Sequence, residues 1–415
     1  MHIFSLEKMK LFVVISNIGG GGAERVGVLL ANGFAHRGHE VFVITDLNMP
    51  VKYQINEEVT ILDMAYNGQN KFLKWLHVAF IIRKYVQQYQ PEVVIGIMQL
   101  CSFVSKIACI GTNTCVVMTE HDSFERPKSA PMSKFEFFCK LYLNNIYECV
   151  TVITQADKDD IGDRLKNIVV MPNPLLLPQV AEIPPKQRVV LAAGRLAAWH
   201  YKGFDVLIRA WARVVSSLEF QNLTPNPSPK GDGNYGWKLQ IAGTGSEESL
   251  NYLKQLCKEN GVEDSVEFLG FRKDVEKLYQ DASIFVLSSR YEGFGLVLIE
   301  AMSQGCACVA CDYKGRQREI VCPEGQGSKF FLCDATKASQ RAERKVQSSN
   351  YQFEACDNGI LCEPDNVEAL AEGMQKMITD DEYRTSVIKN AIERSEYYNL
   401  DNTIKRWELL LDKLI

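Results

Sequence analysis

Two glutamates stand close together in the segment RYEGFGLVLIEAM, residues 290–302. Glu292 precedes a glycine turn, whereas Glu300 lies in an apolar run that predicts a buried helix face. Because an unpaired carboxylate is costly to bury, Glu300 is expected to accept hydrogen bonds, and the two hydroxyls of a ribose would supply them. The alternative is that both glutamates pair with a local arginine such as Arg290.

The glycines between these carboxylates predict a break between a strand and a helix. Gly293, Phe294 and Gly295 form the break, and the helix is expected to begin near Leu296. The first amides of a helix lack partners within it and carry partial positive charge, which suits a phosphate group. The segment therefore predicts a phosphate site next to a sugar site.

Two cations upstream predict the same kind of ligand. In GRLAAWHYKG, Arg195 follows a predicted strand and Lys202 precedes a predicted helix, so both are expected at the carboxyl edge of a parallel sheet. Arginine can hold two oxygens of a diphosphate at once, and lysine acts as a point charge. The alternative is ordinary surface charge on a loop.

A glycine-rich loop near the start of the chain admits two interpretations. SNIGGGGAERV, residues 16–26, links a predicted strand to a predicted helix and contains Gly20 and Gly21. It predicts either a close backbone approach to an anion or a tight turn with positive φ. Counted from the first glycines, the sixth position falls on Glu24 or Arg25, so the dinucleotide fingerprint fails, and the ATP-binding G-x-x-x-x-G-K-[ST] pattern is also missing from the sequence.

Short apolar runs alternate with amphipathic stretches along nearly all of the 415 residues, and the pattern predicts two doubly wound α/β domains. A proline-rich connector separates two series of predicted strands. We expect a first domain over residues 1–180, joined by the C-terminal segment 399–415, and a second domain over residues 181–398. Polar segments near 221–236 and 323–357 are interpreted as surface insertions.

The composition argues against a nucleic-acid-binding, a secreted or a membrane-spanning protein. The 46 basic and 51 acidic residues give a net charge of -5, which argues against a nucleic-acid partner. Thirteen cysteines, many of them in apolar runs, predict reduced thiols in the cytoplasm. No uncharged run reaches the roughly 20 residues that span a bilayer, and the N-terminus does not read as a signal peptide.

Several motifs together resemble one family: the retaining glycosyltransferases of family 4, or glycosyl transferases group 1, with the two-domain GT-B fold. The resemblance covers nearly the whole chain, and the motifs occur in the family's order. They are GGGGAERV, TEHD, MPNPL, GRLAAWHYKG, LQIAGTG, VEFLGF, SSRYEGFGLVLIEAM and GRQREI. The resemblance implies two domains facing across a cleft that binds a nucleotide sugar, with residues 399–415 crossing back to the first domain.

The resemblance also implies a role for each matching residue. Glu292 would contact the transferred sugar, His121 of TEHD would lie beside the reacting carbon, and Glu300 would hold the ribose. The remaining donor contacts would come from Gly20, Gly21, Arg195, Lys202, Gly243, Phe294, Gly295 and Leu296. For His121 alone, a histidine satisfied by its neighbour Asp122 is the alternative.

The family's favoured mechanism is front-face attack by the acceptor hydroxyl, assisted by the leaving diphosphate. It requires positioning and charge stabilisation, so we expect neither a metal nor a cofactor. The acids of DKD, Asp157–Asp159, follow Thr154 and are expected in a capped helical turn instead. One departure from the family is Gln317, which replaces the usual proline in GRQREI.

Two basic and aromatic stretches, residues 126–147 and 71–86, could lie on an anionic membrane beside a lipid-linked acceptor. Each could equally be a core helix with a basic outer face. The first stretch carries Arg126, Lys128, Lys134 and Lys140.

The combined prediction is a cytoplasmic enzyme that acts in the cytosol or at the inner face of the membrane. It would transfer a hexose or N-acetylhexosamine from a nucleotide sugar, with uridine as the expected base, to a surface glycan or a lipid-linked oligosaccharide. Two alternatives are a non-hydrolysing sugar-nucleotide epimerase, which shares the fold, and a non-catalytic subunit that binds a nucleotide sugar.

Overall fold

The structure, a computed structural model, describes residues 8–123, 132–175, 177–222, 236–323 and 353–415. The chain forms two compact units: Met1–Leu176 with Tyr398–Ile415, and Leu177–Tyr397. Most of the predicted insertions, residues 223–235 and 324–352, lies outside the described residues.

The first unit is built on a seven-stranded parallel sheet. Its strands are β1 (Lys10–Val14), β2 (Glu40–Thr45), β3 (Thr60–Asp63), β4 (Val93–Ile97), β5 (Cys115–Thr119), β6 (Cys149–Val152) and β7 (Ile168–Val170), in the order β3-β2-β1-β4-β5-β6-β7. The helices are α1 (Gly22–His36), α2 (Lys71–Tyr89), α3 (Met98–Ala108), α4 (Lys134–Leu141) and α5 (Gln155–Ile161). β1, β4 and β5 are buried nearly throughout, because helices cover both faces of such a sheet.

The second unit contains another seven-stranded sheet. Its strands are β8 (Gln187–Ala193), β9 (Lys238–Ala242), β10 (Val266–Gly270), β11 (Ala282–Leu287), β12 (Ala307–Cys311), β13 (Phe353–Cys356) and β14 (Gly359–Cys362), in the order β10-β9-β8-β11-β12-β14-β13. The helices are α6 (Trp199–Lys202), α7 (Phe204–Asn222), α8 (Glu247–Glu259), α9 (Val275–Asp281), α10 (Leu296–Ser303), α11 (Arg318–Val321), α12 (Val367–Thr379) and α13 (Asp381–Ser395). Two doubly wound α/β units are therefore confirmed.

Three strands, β3, β13 and β14, are not among those predicted from the sequence. β3 is four residues long and exposed at three of them, so it lacks the apolar run by which the other strands were predicted. β13 pairs antiparallel with β14 and lies at the edge of the second sheet. The last residues of the segment interpreted as a solvated insertion, Phe353–Cys356, therefore belong to the sheet.

A last helix, α14 (Leu400–Leu411), packs against α1 within the first unit. Gly33 faces it so closely that an added Cβ would come within 2.6 Å of Ile404. The ring of Trp407 meets that of Phe34 edge to face at 6.4 Å between centroids, and Glu408 accepts from Arg37 at 2.7 Å. Among the described residues, no helix is long and apolar enough to cross a membrane.

We expect Trp407→Ala to lower the free energy of unfolding by about 3–5 kcal/mol, because it removes a buried aromatic ring from the contact with α1. Leu409→Ala is the matched control on the same helix, since Leu409 is 58% exposed and Trp407 only 2%. Urea unfolding followed by circular dichroism measures both. Equal effects of the two variants would contradict the packing of α14 described above.

Candidate functional site

The second sheet creates a crevice where its strand order reverses. β8 and β11 lie side by side, and the chain runs from β8 toward β9 on one side and from β11 toward β12 on the other. In open α/β sheets, ligands bind at the carboxyl ends of the strands at such a point. The loop after β8 carries Arg195 and leads to Lys202, and the loop after β11 carries residues 288–295.

Lys202 and Glu292, predicted separately, form an ion pair at this point. The Lys202 Nζ to Glu292 Oε2 distance is 2.6 Å, and the side chains are 22% and 18% exposed. The Ser289 hydroxyl donates to the same carboxylate oxygen at 3.2 Å. Lys202 retains further N–H donors for a phosphate, and Glu292 retains a second oxygen. Arg195 lies one residue before the short 3₁₀ helix Leu196–Ala198, and its side chain is exposed.

Arg290 fixes the loop after β11 to the start of α7. Its guanidinium donates to both carboxylate oxygens of Asp205, at 2.6 and 2.8 Å, and to the carbonyl of His200 at 2.7 Å. Burial alone would raise the pKa of Asp205, but the hydrogen bonds and charge of Arg290 lower it. Arg290 also pairs with Asp365 at 2.7 Å, whereas Glu292 pairs with Lys202. The alternative in which Arg290 pairs with Glu292 is therefore wrong.

The helix predicted near Leu296 begins at that residue as α10, with Gly295 before it at φ 97°. This backbone conformation favours glycine, and an added Cβ would lie 3.1 Å from Leu287. Phe294 is buried at the turn. The turn therefore presents the first amides of α10 at the carboxyl edge of the sheet, where the sequence predicts a phosphate site.

Gln317, the departure from the family pattern, supports this turn. Its side-chain amide donates to the carbonyl of Phe294 at 3.2 Å, and its side-chain oxygen accepts from the backbone N–H of Tyr313 at 2.8 Å. Gln317 is fully buried. The proline that is usual at this position could make neither side-chain bond, so here an amide holds the segment at Phe294 in place. Sequence reasoning registered the substitution but not this role.

Glu300 lies in the second turn of α10 and is 5% exposed. The hydroxyl of Tyr279 donates to Glu300 Oε2 at 3.1 Å. Burial, together with the charge of Glu300, raises the pKa of Tyr279 well above its usual value, so the phenol remains a donor. A tyrosine therefore satisfies one oxygen of the buried carboxylate. Tyr279 lies on α9, which no motif in the sequence connects with Glu300.

Two glycines let neighbouring loops approach each other closely. Gly243 has φ 142°, and a Cβ there would come within 1.8 Å of the Gly194 carbonyl oxygen. Gly203, with φ 64°, would place a Cβ 2.0 Å from the carbonyl oxygen of Ser288. These contacts bring the loops after β8, β9 and β11 together. The close approach to Gly194 is by itself a reason for glycine at position 243, so the predicted ligand contact of Gly243 stays a prediction.

The first unit carries the other predicted donor residues, Gly20 and Gly21, at the end of the loop between β1 and α1. Their φ angles are 144° and 139°, a region that favours glycine. Tyr53 secures the turn, since its hydroxyl accepts from the Gly21 N–H and donates to the Gly21 carbonyl, both at 3.1 Å. The Lys52 ammonium lies 3.9 Å from the position of a Cβ on Gly20. Lys52 is thus a cation beside the glycine loop that sequence reasoning missed.

His121 follows β5 at the carboxyl edge of the first sheet. Its Nδ1 lies 2.9 Å from Asn173 Oδ1, and its Nε2 lies 3.0 Å from Thr119 Oγ1. Its ring is thus satisfied by Asn173 and Thr119 instead of Asp122. Burial lowers the pKa of His121 to about 4, against the effect of Asn173, so the imidazole is neutral near pH 7.

For Lys140, the prediction that residues 126–147 present their basic side chains to a membrane is wrong. It is buried, and its ammonium lies 3.0 Å from Glu120 Oε2, directly before His121 in the chain. Burial raises the pKa of Glu120, and the charge of Lys140 opposes that shift. Arg126 and Lys128 of the same stretch lie outside the described residues.

The acids that follow Thr154 lie in a capped helical turn, as predicted. The Thr154 side chain accepts from the Asp157 N–H and caps α5.

Two family models match consecutive parts of the chain. The model described as Glycosyltransferase Family 4 matches residues 20–175, and the model described as Glycosyl transferases group 1 matches residues 176–352. The chain belongs to this family of glycosyltransferases. The enzyme class predicted from the motifs is confirmed.

Individual relatives align with nearly the whole chain. An uncharacterized glycosyltransferase of Haemophilus influenzae is 27% identical over 97% of this chain and 99% of its own. The Campylobacter jejuni N-acetylgalactosamine-N,N'-diacetylbacillosaminyl-diphospho-undecaprenol 4-alpha-N-acetylgalactosaminyltransferase is 25% identical over 94% of this chain and 96% of its own. Among solved structures, HepE of Anabaena in complex with UDP-glucose has a TM-score of 0.66 at 19% identity, covering 98% of this chain and 100% of that one. The GT-B fold class is confirmed.

We expect Gly203→Ala to destabilise the glycosyltransferase by about 1–3 kcal/mol more than Gly261→Ala. The two glycines share nearly the same φ, 64° and 66°, but a Cβ on Gly261 meets nothing within 4 Å. Both variants therefore lose the freedom of glycine, and only Gly203→Ala also clashes with Ser288. Urea unfolding of each variant provides the comparison, and equal losses would contradict the close approach of the two loops.

The lowered pKa of His121 predicts that the stability of the folded chain depends on pH. Its folded-state pKa of about 4 lies below its ordinary 6.5, so the unfolded chain binds the proton first as the pH falls. The folded state therefore loses stability from about pH 6.5 down to about pH 4, by on the order of 3 kcal/mol. We expect His121→Gln to remove this component, and His36→Gln, on the exposed end of α1, to leave it in place. Unfolding free energies measured across this pH range test the prediction, and parallel curves for wild type and His121→Gln would refute it.

Proposed function

We propose that this glycosyltransferase transfers a hexose or N-acetylhexosamine, with retention of configuration, from a UDP-sugar to a surface glycan or lipid-linked oligosaccharide. The observation that carries the proposal is the grouping around α10. A buried carboxylate, a positive-φ turn with helix amides and a lysine–glutamate pair lie at one reversal point of one sheet.

The diphosphate is the ligand that this grouping suits best. The first amides of α10 and the ammonium of Lys202 offer positive charge and N–H donors from two sides. Arg195, exposed in the loop after β8, adds a guanidinium that can hold two phosphate oxygens. As the bond to the sugar breaks, negative charge builds on the leaving diphosphate, and these groups stabilise it without a metal.

The ribose and the transferred sugar would then lie on either side of the diphosphate. Glu300 has one oxygen held by Tyr279 and would accept from the ribose hydroxyls with its remaining acceptor capacity. Glu292 would accept from hydroxyls of the transferred sugar while Lys202 fixes its orientation.

His121 suits contact with the sugar better than proton abstraction. At a pKa of about 4 it is a weak base, and both ring nitrogens lie within hydrogen-bond distance of protein oxygens. A neutral imidazole held by Asn173 and Thr119 would shape the space beside the reacting carbon. This agrees with a front-face mechanism, in which the leaving diphosphate and not a strong base assists the acceptor hydroxyl.

The donor and acceptor classes rest on the named relatives. The Campylobacter jejuni relative acts, by its name, on an undecaprenol-linked diphosphate sugar, and HepE is described with UDP-glucose. A membrane-borne acceptor would also explain the outer side of α2. Its exposed residues include Phe72, Leu73, Leu76 and Phe80, followed by Lys84. An apolar stripe ending in a cation suits shallow insertion into an anionic membrane surface on its cytoplasmic side.

Purified enzyme incubated with a panel of UDP-sugars is expected to bind one of them and to release UDP when a lipid-linked oligosaccharide is added. Glu300→Gln should weaken donor binding by about tenfold or more, because a hydrogen bond to a charged acceptor contributes about 1.5–3 kcal/mol. Lys202→Ala should lower kcat/KM by at least about tenfold. Isothermal titration and a coupled UDP assay measure the two effects.

The matched controls are Glu393→Gln and Lys254→Ala, which change exposed residues of the same unit. Neither binding nor UDP release with any donor would refute the proposal. Conversion of the donor without an acceptor would favour the epimerase, and full cellular function with Lys202→Ala and Glu292→Gln would favour the non-catalytic subunit. The family match already favours a transferase over both.

A further inference from the structure

Two cysteines and a glutamate converge at the edge of the second sheet. Cys322 ends α11, and Glu354 and Cys356 lie on β13. One ligand atom from each residue lies within 4.8 Å of the others, and no other group of three such residues occurs in the described part of the chain. This group, here called the Cys322 cluster, contributes nothing to the donor site described above.

The local structure explains why the three side chains meet. Glu354 and Cys356 are two residues apart on a strand, so they project from the same face. β13 is an edge strand held on one side by its antiparallel pairing with β14. α11 brings Cys322 to it, with the Cys322 N–H bonded to the Arg318 carbonyl at 2.8 Å.

A second contact connects α11 with the turn that follows β13. The side-chain amide of Asn358, in the turn between β13 and β14, donates to the Val321 carbonyl at 3.2 Å. The residue next to Cys322 is thus fixed to the residues that follow Cys356. The convergence therefore does not depend on the thiols alone.

The carboxylate of Glu354 is oriented toward the thiols by an arginine. Arg318 donates to Glu354 Oε2 at 2.9 Å, which leaves Oε1 on the side of Cys322, whose Sγ lies 3.8 Å from it. Metal-binding carboxylates commonly have their other oxygen held in this manner. Arg318 itself is also held by Asp312, at 3.2 Å.

We propose that the Cys322 cluster binds a zinc-class divalent cation through Cys322 Sγ, Cys356 Sγ and Glu354 Oε1. Zinc takes thiolate ligands at about 2.3 Å and carboxylate ligands at about 2.0–2.2 Å in a tetrahedron, so its ligand atoms are separated by about 3–4 Å. The cluster needs only small side-chain shifts to reach that spacing. The two thiol protons pass to solvent as the metal binds, and water completes the fourth position.

Charge balance supports a dication here. Two thiolates and one carboxylate carry three negative charges, of which a dication offsets two, and the Arg318 guanidinium is shared between Glu354 and Asp312. The site would be structural, because it joins the edge strand to α11, which follows directly after Gln317. It is independent of the proposed donor chemistry.

Cobalt binding to the purified, fully reduced full-length chain tests the site. Co²⁺ is expected to bind once per chain with the near-ultraviolet absorption of cobalt–thiolate bonds, and Zn²⁺ should displace it. Cys322→Ser and Cys356→Ser should each remove about half of that absorption and weaken binding by about tenfold or more. Glu354→Gln keeps both thiols, so it should weaken binding while the absorption persists at saturation.

The control is Cys115→Ser, which removes a buried thiol of the first unit and should leave cobalt binding unchanged. Circular dichroism of each variant separates loss of the site from loss of the fold. Absence of thiolate absorption in the folded wild type would overturn the proposal. So would unchanged absorption in Cys322→Ser/Cys356→Ser, or a Cys322–Cys356 disulfide formed with glutathione disulfide in a chain that binds no cobalt when reduced. None of these results bears on UDP-sugar turnover.

Discussion

The second unit depends on a close approach of backbone segments at the point where its strand order reverses. Gly203 lies against Ser288 and Gly243 against Gly194, with no room for a Cβ in either contact. Only glycine permits such contacts between loops that follow different strands. The cation of the loop after β8 and the carboxylate of the loop after β11 consequently lie within 2.6 Å of each other.

Electrostatic pairing then fixes each charged group in the same small region. Arg290 is balanced by Asp205 and Asp365, Lys202 by Glu292, and the oxygen of Glu300 by the hydroxyl of Tyr279. Charges held in this way need little reorganisation when a charged ligand arrives. Tyr279 and Gln317 act differently, since they position the groups that would face the ligand and are themselves buried.

The first unit uses a similar device with different residues. Its glycine loop follows β1 and is held by Tyr53, and His121 follows β5 and is held by Asn173 and Thr119. The histidine is kept neutral by burial, while the neighbouring Glu120 shares its buried surroundings with Lys140. The first unit thus carries a neutral, oriented histidine and the cation Lys52, whereas Arg195, Lys202, Glu292 and Glu300 lie in the second unit.

The sequence by itself determined the two doubly wound units, the start of α10 at Leu296 and the burial of Glu300. These follow from continuous apolar runs and glycine breaks, which are local properties of the chain. It missed β3, which is short and exposed, and β13, which is an edge strand, because both lack that pattern. It also missed β14, which is apolar and buried but only four residues long.

Only the tertiary structure decided which side chains pair. Lys202 meets Glu292 across 90 residues, Arg290 meets Asp205 across 85, and Tyr279 reaches Glu300 from another helix. Lys140 likewise proved to be a buried partner of Glu120 instead of a surface charge. Such pairings depend on how strands and helices pack in three dimensions. No local pattern in the sequence identifies two partners that are so far apart along the chain.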